Sequence, residues 1–268
     1  MEKRNSNAFF DSQDILLNIE QTHTWGNFGY WENTQRYATA CEQLAKKLGT
    51  EAKLQAQDHV LDLGFGCGDQ LQVWNQHFGV EHIEGWNISQ EQYAIALQKH
   101  YDCNVELHCG DFFSKTVYDQ AQYDKILALD SAYHFNTRSR FFEFAHQHLK
   151  PGGMLGMVDI SFNMQAVKPW QRRFIKLMAG IVKIPKQNLS SAEQIQTELN
   201  EHFELIQWQD ITPMVFLPFC DFIRSHHSQF ARFIPAPMWR KYQVTSRALA
   251  YLCEHNLIQM NLVIARKP

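Results

Sequence analysis

The 268-residue chain contains no apolar run that approaches the roughly 20 residues needed to span a bilayer. Its opening "MEKRNSNAFFDSQD" lacks the apolar centre of a secretory signal. A membrane-spanning or exported protein is therefore not expected, and a cytoplasmic setting is. Cysteine is present but unpatterned: Cys41, Cys67, Cys103, Cys109, Cys220 and Cys253 show no CxxC spacing, which speaks against a zinc knuckle or a disulfide framework. The 13 histidines make no HxxxH or HxH cluster with nearby acids. "HQH" (146–148) and "HH" (226–227) read as surface helix positions, so no metal site is expected. Internal repeats and low-complexity tracts are missing as well. There is no basic tail, and a pI near 6.5 counts against a nucleic-acid partner.

What is present describes a folded, globular chain: 45% of residues are apolar and 20% charged. The length suffices for one large core. A net charge of -3 hides an asymmetry. Residues 1–161 carry 12 Lys and Arg against 21 Asp and Glu, whereas residues 162–268 carry 13 against 7. Opposite signs in the two parts suggest two different jobs.

Apolar, β-prone runs recur at "HVLDL" (59–63), "EHIEGW" (81–86), "NVELHC" (104–109), "YDKILALD" (123–130) and "GMLGMVDI" (153–160). Helical spacing fills the intervals. In "SQEQYAIALQKH", Ser89 and Gln92 have capping-box spacing, and Tyr93, Ala94 and Leu97 form a stripe. In "TRSRFFEFAHQHLKPGG", Phe141, Phe142, Ala145 and Leu149 share a face, and Pro151-Gly152-Gly153 ends the helix. Strands alternating with helices imply βαβ units around a parallel sheet. Two further candidates, 203–211 and 258–266, follow longer gaps at about 162–202 and 212–257, where inserted helices are expected.

The first strand runs into "LGFGCGD", a glycine loop at the edge where doubly wound sheets bind ligands. The dinucleotide pattern G-x-G-x-x-G would place its third glycine at Asp69, where a carboxylate would repel a pyrophosphate. No Lys-Ser/Thr pair follows, so the loop is not a P-loop. It suits a ligand that needs close backbone approach and brings no phosphate.

"VLDLGFGCG" resembles the first motif of the class I S-adenosylmethionine-dependent methyltransferases. The later stretches "IEGWNIS", "HCGDFF", "YDKILALDSAYHF" and "LKPGGMLGMVDI" resemble the rest of that pattern in order. The resemblance spans about residues 20–161 and resumes at the last two strands. "NFGYWE" (27–32), with Tyr30 and Trp31, resembles the opening segment of small-molecule members, among them the tocopherol, sterol and natural-product methyltransferases. It implies one α/β domain over 1–268: a Rossmann-like, seven-stranded, mostly parallel sheet with its last strand antiparallel, capped by helices from the inserts. It also implies S-adenosylmethionine as cofactor. Gly64, Gly66 and Gly68 would pass beneath its methionine part, with Asp62 bracing the loop and reaching the ammonium through water. Asp111 and Phe112 would take the adenine, and Asp130 and Ser131 the methionyl group and the acceptor. Tyr30 and Trp31 would close over the cofactor. One departure stands out, because Asn87 occupies the place of the acid that usually holds the ribose hydroxyls. Asparagine can hydrogen-bond a diol without charge assistance.

Methyl transfer from a sulfonium is an in-line displacement, driven mainly by positioning and desolvation. An oxygen or acidic-carbon acceptor also needs a base. His134, four residues past Asp130, is the first candidate, with a satisfied structural histidine as the alternative; His23 is the second. Cys67 reads as a small residue in a crowded loop.

The inserts bear on the acceptor. "KPWQRRFIKLMAGIVKIPK" (168–186) sets Trp170, Phe174, Leu177, Met178 and Ile181 at helical spacing among Lys168, Arg172, Arg173, Lys176 and Lys183. Such a helix can meet anionic lipid or an anionic ligand, or simply pack its stripe inward as a cap. Residues 213–242 are dense in Phe, Met and Trp and could wall an apolar pocket or fill a core. The expected partner is a lipophilic small molecule, methylated on oxygen, nitrogen or carbon. Alternatives are a cyclopropane-synthase-like lipid enzyme, for which "DSAYH" stands where an "ExxEH"-like segment would be sought, and a non-catalytic cofactor-binding scaffold. A dehydrogenase is disfavoured by Asp69.

Overall fold

The strands expected from the apolar runs pair in a computed structural model of the chain, which describes residues 17–18, 22–114, 122–164 and 167–268. After α1 (Tyr37–Glu51), strands and helices alternate: β1 (His59–Leu63), α2 (Asp69–Phe78), β2 (His82–Asn87), α3 (Gln90–Ala96), β3 (Asn104–Cys109), β4 (Tyr123–Leu129), α4 (Arg138–His148) and β5 (Leu149–Phe162). The first insert supplies α5 (Pro169–Ile181) and α6 (Ala192–Asn200), followed by β6 (Glu204–Asp210). The second supplies α7 (Thr212–Ser225), α8 (His227–Phe233) and α9 (Ala236–Glu254), and β7 (Ile258–Arg266) closes the order.

The seven strands lie in the order β3-β2-β1-β4-β5-β7-β6. The first five pair in parallel, and β7 runs antiparallel to both β5 and β6. Strand order reverses between β1 and β4, so a crevice opens beyond their carboxyl ends, the usual ligand position in such sheets. Apolar side chains cover both faces of the sheet. Leu44, Leu48 and Trp74 belong to the cluster on one side, and Phe141, Phe142 and Leu199 to that on the other. This explains why the central strands read as apolar runs rather than alternations.

Three local expectations change. Ser89 does cap α3 by accepting from the Gln92 amide, but Leu97 is exposed and Ala96 is the buried residue. The helix lies at the sheet's edge, where only its small side chain turns inward. In α5 the inward residues are Gln171, Ile175 and Ala179, not the Trp170 stripe. Most aromatics of the second insert, including Phe216, Phe222, Phe230 and Trp239, pack into the core rather than wall a pocket.

A buried ion pair joins α4 to the sheet and gathers in the first insert. Arg138 Nε donates to Asp159 Oδ2 at 2.6 Å, and its remaining nitrogens donate to the carbonyls of Asn188 and Ile160. The Asn188 amide in turn donates to the carbonyls of Tyr133 and Phe135. The loop after β4 is thereby fastened from below.

Candidate active site

The glycine loop leaves β1 through three left-handed residues, Gly64 (φ +86°), Gly66 (φ +60°) and Gly68 (φ +90°). Their reasons differ. A Cβ on Gly64 would meet Ser131 at 2.6 Å, and one on Gly68 would collide with the Tyr101 hydroxyl. A Cβ on Gly66 would meet nothing within 4 Å. Packing dictates the outer two, while the middle one faces open space. That space is a cavity of about 370 Å³ that begins at the loop and ends under the cap.

Asn87 pins the loop from the side. Its amide nitrogen donates to the Gly66 carbonyl at 2.9 Å and to Gln92 Oε1 at 2.8 Å. A carboxylate could make neither contact, which gives the departure from an acid a physical reason. Its Oδ1 remains as an acceptor, 3.4 Å from the Ser89 amide.

Asp62 is fully buried and does not line the cavity. It accepts from Gln70 Nε2 at 2.9 and 3.0 Å and from Trp74 Nε1 at 2.6 Å. Burial pushes its pKa up to about 6, against the lowering by these two donors. Gln70, which sequence reasoning missed, is the residue that reaches the cavity.

Asp111, Phe112, Asp130 and Ser131 all line the cavity. Asp111 Oδ1 accepts from the Phe113 amide at 3.0 Å. Phe112 is buried edge-on against Phe135 and Phe144. Ser131 Oγ donates to the Leu63 carbonyl at 2.7 Å, tying the end of β4 to the glycine loop. Asp130, at φ +55°, accepts from the Phe28 amide at 3.0 Å and from the Tyr133 hydroxyl at 2.8 Å.

The opening segment crosses the cavity, but not through the expected residues. Thr24, Trp25, Gly26, Asn27 and Phe28 line it, whereas Tyr30 and Trp31 do not. Trp31 packs on Phe222, and the Tyr30 ring lies under the Lys47 ammonium, 5.4 Å away. Asp69 holds the strap down by accepting from the Thr24 amide at 3.1 Å and its hydroxyl at 2.5 Å. Lys99 lies 2.9 Å and His23 3.5 Å from the same carboxylate. Burial pushes the Asp69 pKa up, but His23, Lys99 and Thr24 outweigh it and hold the group below its ordinary value. His23 is raised in turn, chiefly by its hydrogen bond to Asp69. His23 lies outside the cavity lining, so of the two histidines only His134 faces the reaction space.

His134 sits in the turn after β4 with its ring half-exposed to the cavity. Burial beneath the cap lowers its pKa to about 4, offset slightly by the Lys183 carbonyl. It is therefore neutral at pH 7. Nδ1 lies 3.4 Å from that carbonyl, which can only accept, so Nδ1 carries the proton and Nε2 is the basic nitrogen. Beyond it Ile160, Val182, Ile184 and Phe219 make an apolar end, with Lys241, Tyr242 and Thr245 of α9 at its border.

The lining can be tested against the cofactor expected from sequence. Lys241, on the cap, is its one Lys or Arg among the described residues, so the loop end offers no cation to a phosphate. An open Gly66, the carboxylates of Asp111 and Asp130, the Phe112 ring and the Asn87 oxygen suit an adenosine with a cationic amino-acid tail. Among the described residues no group of three or more His, Cys, Asp or Glu is placed to hold a metal.

Residues 60–153 match the family described as a methyltransferase domain. Erythromycin 3''-O-methyltransferase of Saccharopolyspora erythraea is 32% identical over 138 residues, which is 50% of this chain. The chain spans only 45% of that relative's length. The O-methyltransferase resE of Aspergillus sclerotiorum is 28% identical over 231 residues, covering 81% of this chain and 82% of the relative. Among solved structures, the cyclopropane synthase MmaA2 of Mycobacterium tuberculosis superposes with a TM-score of 0.81 over 99% of both chains. At 17% identity, that likeness is one of fold.

Proposed function

We propose, from the premise that this chain belongs to the class I S-adenosylmethionine-dependent methyltransferases, that it methylates a lipophilic small molecule. One observation carries this reading. The glycine loop's single open position, at Gly66, faces a cavity that continues without a break to a neutral histidine and an apolar end.

When bound, S-adenosylmethionine supplies an electrophilic methyl group on a sulfonium. Gly66 would let it lie against the backbone, Asn87 Oδ1 would be the acceptor for its ribose, and Asp111 and Phe112 would hold the adenine. Asp130 orders Phe28 and Tyr133 around the reaction space. The strap at residues 24–28 excludes water, which strengthens the electrostatic contacts inside. His134 Nε2 takes the acceptor's proton as the new bond forms. A base this weak contributes only when proton transfer accompanies attack. An oxygen acceptor is favoured, because an amine arriving unprotonated would need no base beneath the cap. The O-methyltransferases among its relatives support the same choice.

The acceptor end is apolar, with polar groups confined to Lys241, Tyr242 and Thr245, which suits a hydrophobic body bearing one polar or anionic group. Independently of that chemistry, the basic residues of 168–186 favour contact with an anionic membrane, in a cytoplasmic setting. A cyclopropane-forming reaction is not favoured: the fold likeness carries no chemistry, and "DSAYH" (130–134) supplies no second carboxylate near His134.

Calorimetry with S-adenosylhomocysteine against NAD tests the cofactor, and transfer of labelled methyl into a cell metabolite extract tests the reaction. Binding of NAD in place of S-adenosylhomocysteine would overturn the reading. So would cofactor binding without transfer to any metabolite, which would leave a regulatory scaffold.

A further inference from the structure

The cap carries a face that the cofactor site does not explain. On α5 the residues Trp170, Leu177 and Ile181 are 56%, 62% and 45% exposed. At about 100° per residue these three and Phe174 fall on one narrow stripe. Arg173 and Lys176 border it, while Gln171, Ile175 and Ala179 turn inward. Exposure is thus a property of the stripe, not of frayed ends.

A second helix continues the face. Trp170 and Phe174 both touch Tyr251 of α9, with ring centroids 6.0 Å apart in each case, and Gln171 donates to its hydroxyl. The start of α5 therefore meets the end of α9. Val182, just past the end of α5, shares the cavity lining with Lys241, Tyr242 and Thr245 near the start of α9. The two helices thus touch at Tyr251, and the cavity ends where Val182 and the first half of α9 share its lining. On α9, Arg240, Val244 and Arg247 are exposed at i, i+4, i+7 spacing, the same side as Tyr251. Phe233, ending α8, is 76% exposed.

Charge identifies the occupant. Between Asp159 and Glu193 the chain has no acid, but carries Lys168, Arg172, Arg173, Lys176, Lys183 and Lys186. Between Asp221 and Glu254 it again has none, but carries Arg224, Arg232, Arg240, Lys241 and Arg247. Exposed apolar side chains set among these cations, with Glu254 at the far end of α9 as the one acid of the two helices, complement an anionic bilayer: acyl chains accept the former and phosphates the cations. A protein partner would need an acidic rim of matching outline, and nothing on this face selects one.

We propose that α5 and α9 form a docking surface for an anionic lipid bilayer, and that the lipophilic acceptor enters the cavity from that bilayer between their ends. The entry route rests on the methyltransferase reading; the docking does not.

Cosedimentation of the full chain tests this, using vesicles of phosphatidylcholine alone and of phosphatidylcholine mixed with phosphatidylglycerol. Binding is expected only to the mixed vesicles, with a blue shift in tryptophan emission as Trp170 leaves water. Replacing Leu177 and Ile181 together by Glu should abolish it. Replacing Arg172, Arg173 and Lys176 together by Gln should weaken it about a hundredfold. Both variants should keep their far-ultraviolet circular dichroism and their affinity for S-adenosylhomocysteine, which also separates failure here from failure of the cofactor assignment. Equal binding to neutral vesicles, no vesicle binding, or unchanged binding by both variants overturns the proposal. So does a wild-type dimer that the Leu177→Glu, Ile181→Glu pair dissociates, because a second copy would then cover the face.

Discussion

The glycine-loop half and the cap half solve opposite problems with the same residue types. Around the loop, acids are tied down: the buried Asp62 by Gln70 and Trp74, the buried Asp69 by Thr24, Lys99 and His23, and the half-buried Asp130 by Phe28 and Tyr133. Each spends its charge on a neighbouring element: Asp62 on the side chains of α2, Asp69 and Asp130 on the strap. On α5 and α9 most cations stay outside, and Trp170, Leu177, Ile181 and Val244 stay outside with them. The first half is organised towards its own interior, the second towards something beyond the molecule. The charge count shows two parts of opposite sign; burial shows which charges are structural, Asp62, Asp69 and Arg138 among them.

The sharpest way to break this comparison is at His134, where the halves meet. For an oxygen acceptor, His134→Ala should lower turnover by about 10²–10⁴ with cofactor affinity nearly intact. With its pKa near 4, the acid limb of the wild-type pH–rate profile should lie near that value, not near 6.5. The stability sign agrees. A histidine lowered in the fold stabilises fully above its unfolded value, and that contribution is lost as pH falls from about 6.5 towards 4. An acid limb at 6.5, or turnover within a few-fold of wild type, would make His134 structural.

Next comes Gly66→Val. The branched side chain would enter the one open position of the loop at a positive φ, so S-adenosylhomocysteine affinity should fall by about a hundredfold or more. The circular dichroism should stay native, because no protein atom stands in the way. Undiminished affinity in a folded variant would detach the loop from the cofactor.

A smaller effect is expected at Asp69→Asn, which weakens the strap without touching the loop. Losing the charge on one buried hydrogen-bonded contact should raise the cofactor Kd by about tenfold. The wild-type strap has a pH window. The lowered Asp69 contributes above about 3.8, and the raised His23 contributes below about 6.5 until pH rises through its folded pKa. Amide exchange at Thr24 and Phe28, corrected for intrinsic rates, should therefore be slowest between those values. It should lose this dependence in the variant. A pH-independent strap in the wild type would mean that the His23–Asp69 pair does not hold it.

Much of the cofactor half was legible because its determinants are local. Strand β1, the glycines, Asp111 and Phe112 lie within short stretches whose spacing reflects backbone geometry, and β1, β3 and β7 form at the expected residues. Less legible was which glycine faces the ligand, since that depends on Ser131 and Tyr101, far away in the chain. The same distance hid Gln70 behind the more conspicuous Asp62. Thr24 was hidden too, since its importance appears only when Asp69 is seen to hold it. Asn87 looked like a weakened ribose contact; its donors to Gly66 and Gln92 show a second duty.

By itself the sequence determined the strand order's raw material, the place of the ligand loop and the absence of a cation for phosphate there. Periodicity and turn chemistry act over a few residues and survive without a fold. Only the tertiary structure decided which side of α5 faces inward, because its helical spacing is satisfied equally by a stripe turned to the core or to solvent. Packing buried Gln171, Ile175 and Ala179 and left Trp170, Leu177 and Ile181 outside. It also separated His134 from His23, since the lowered and the raised pKa arise from neighbours that the chain brings together over long distances.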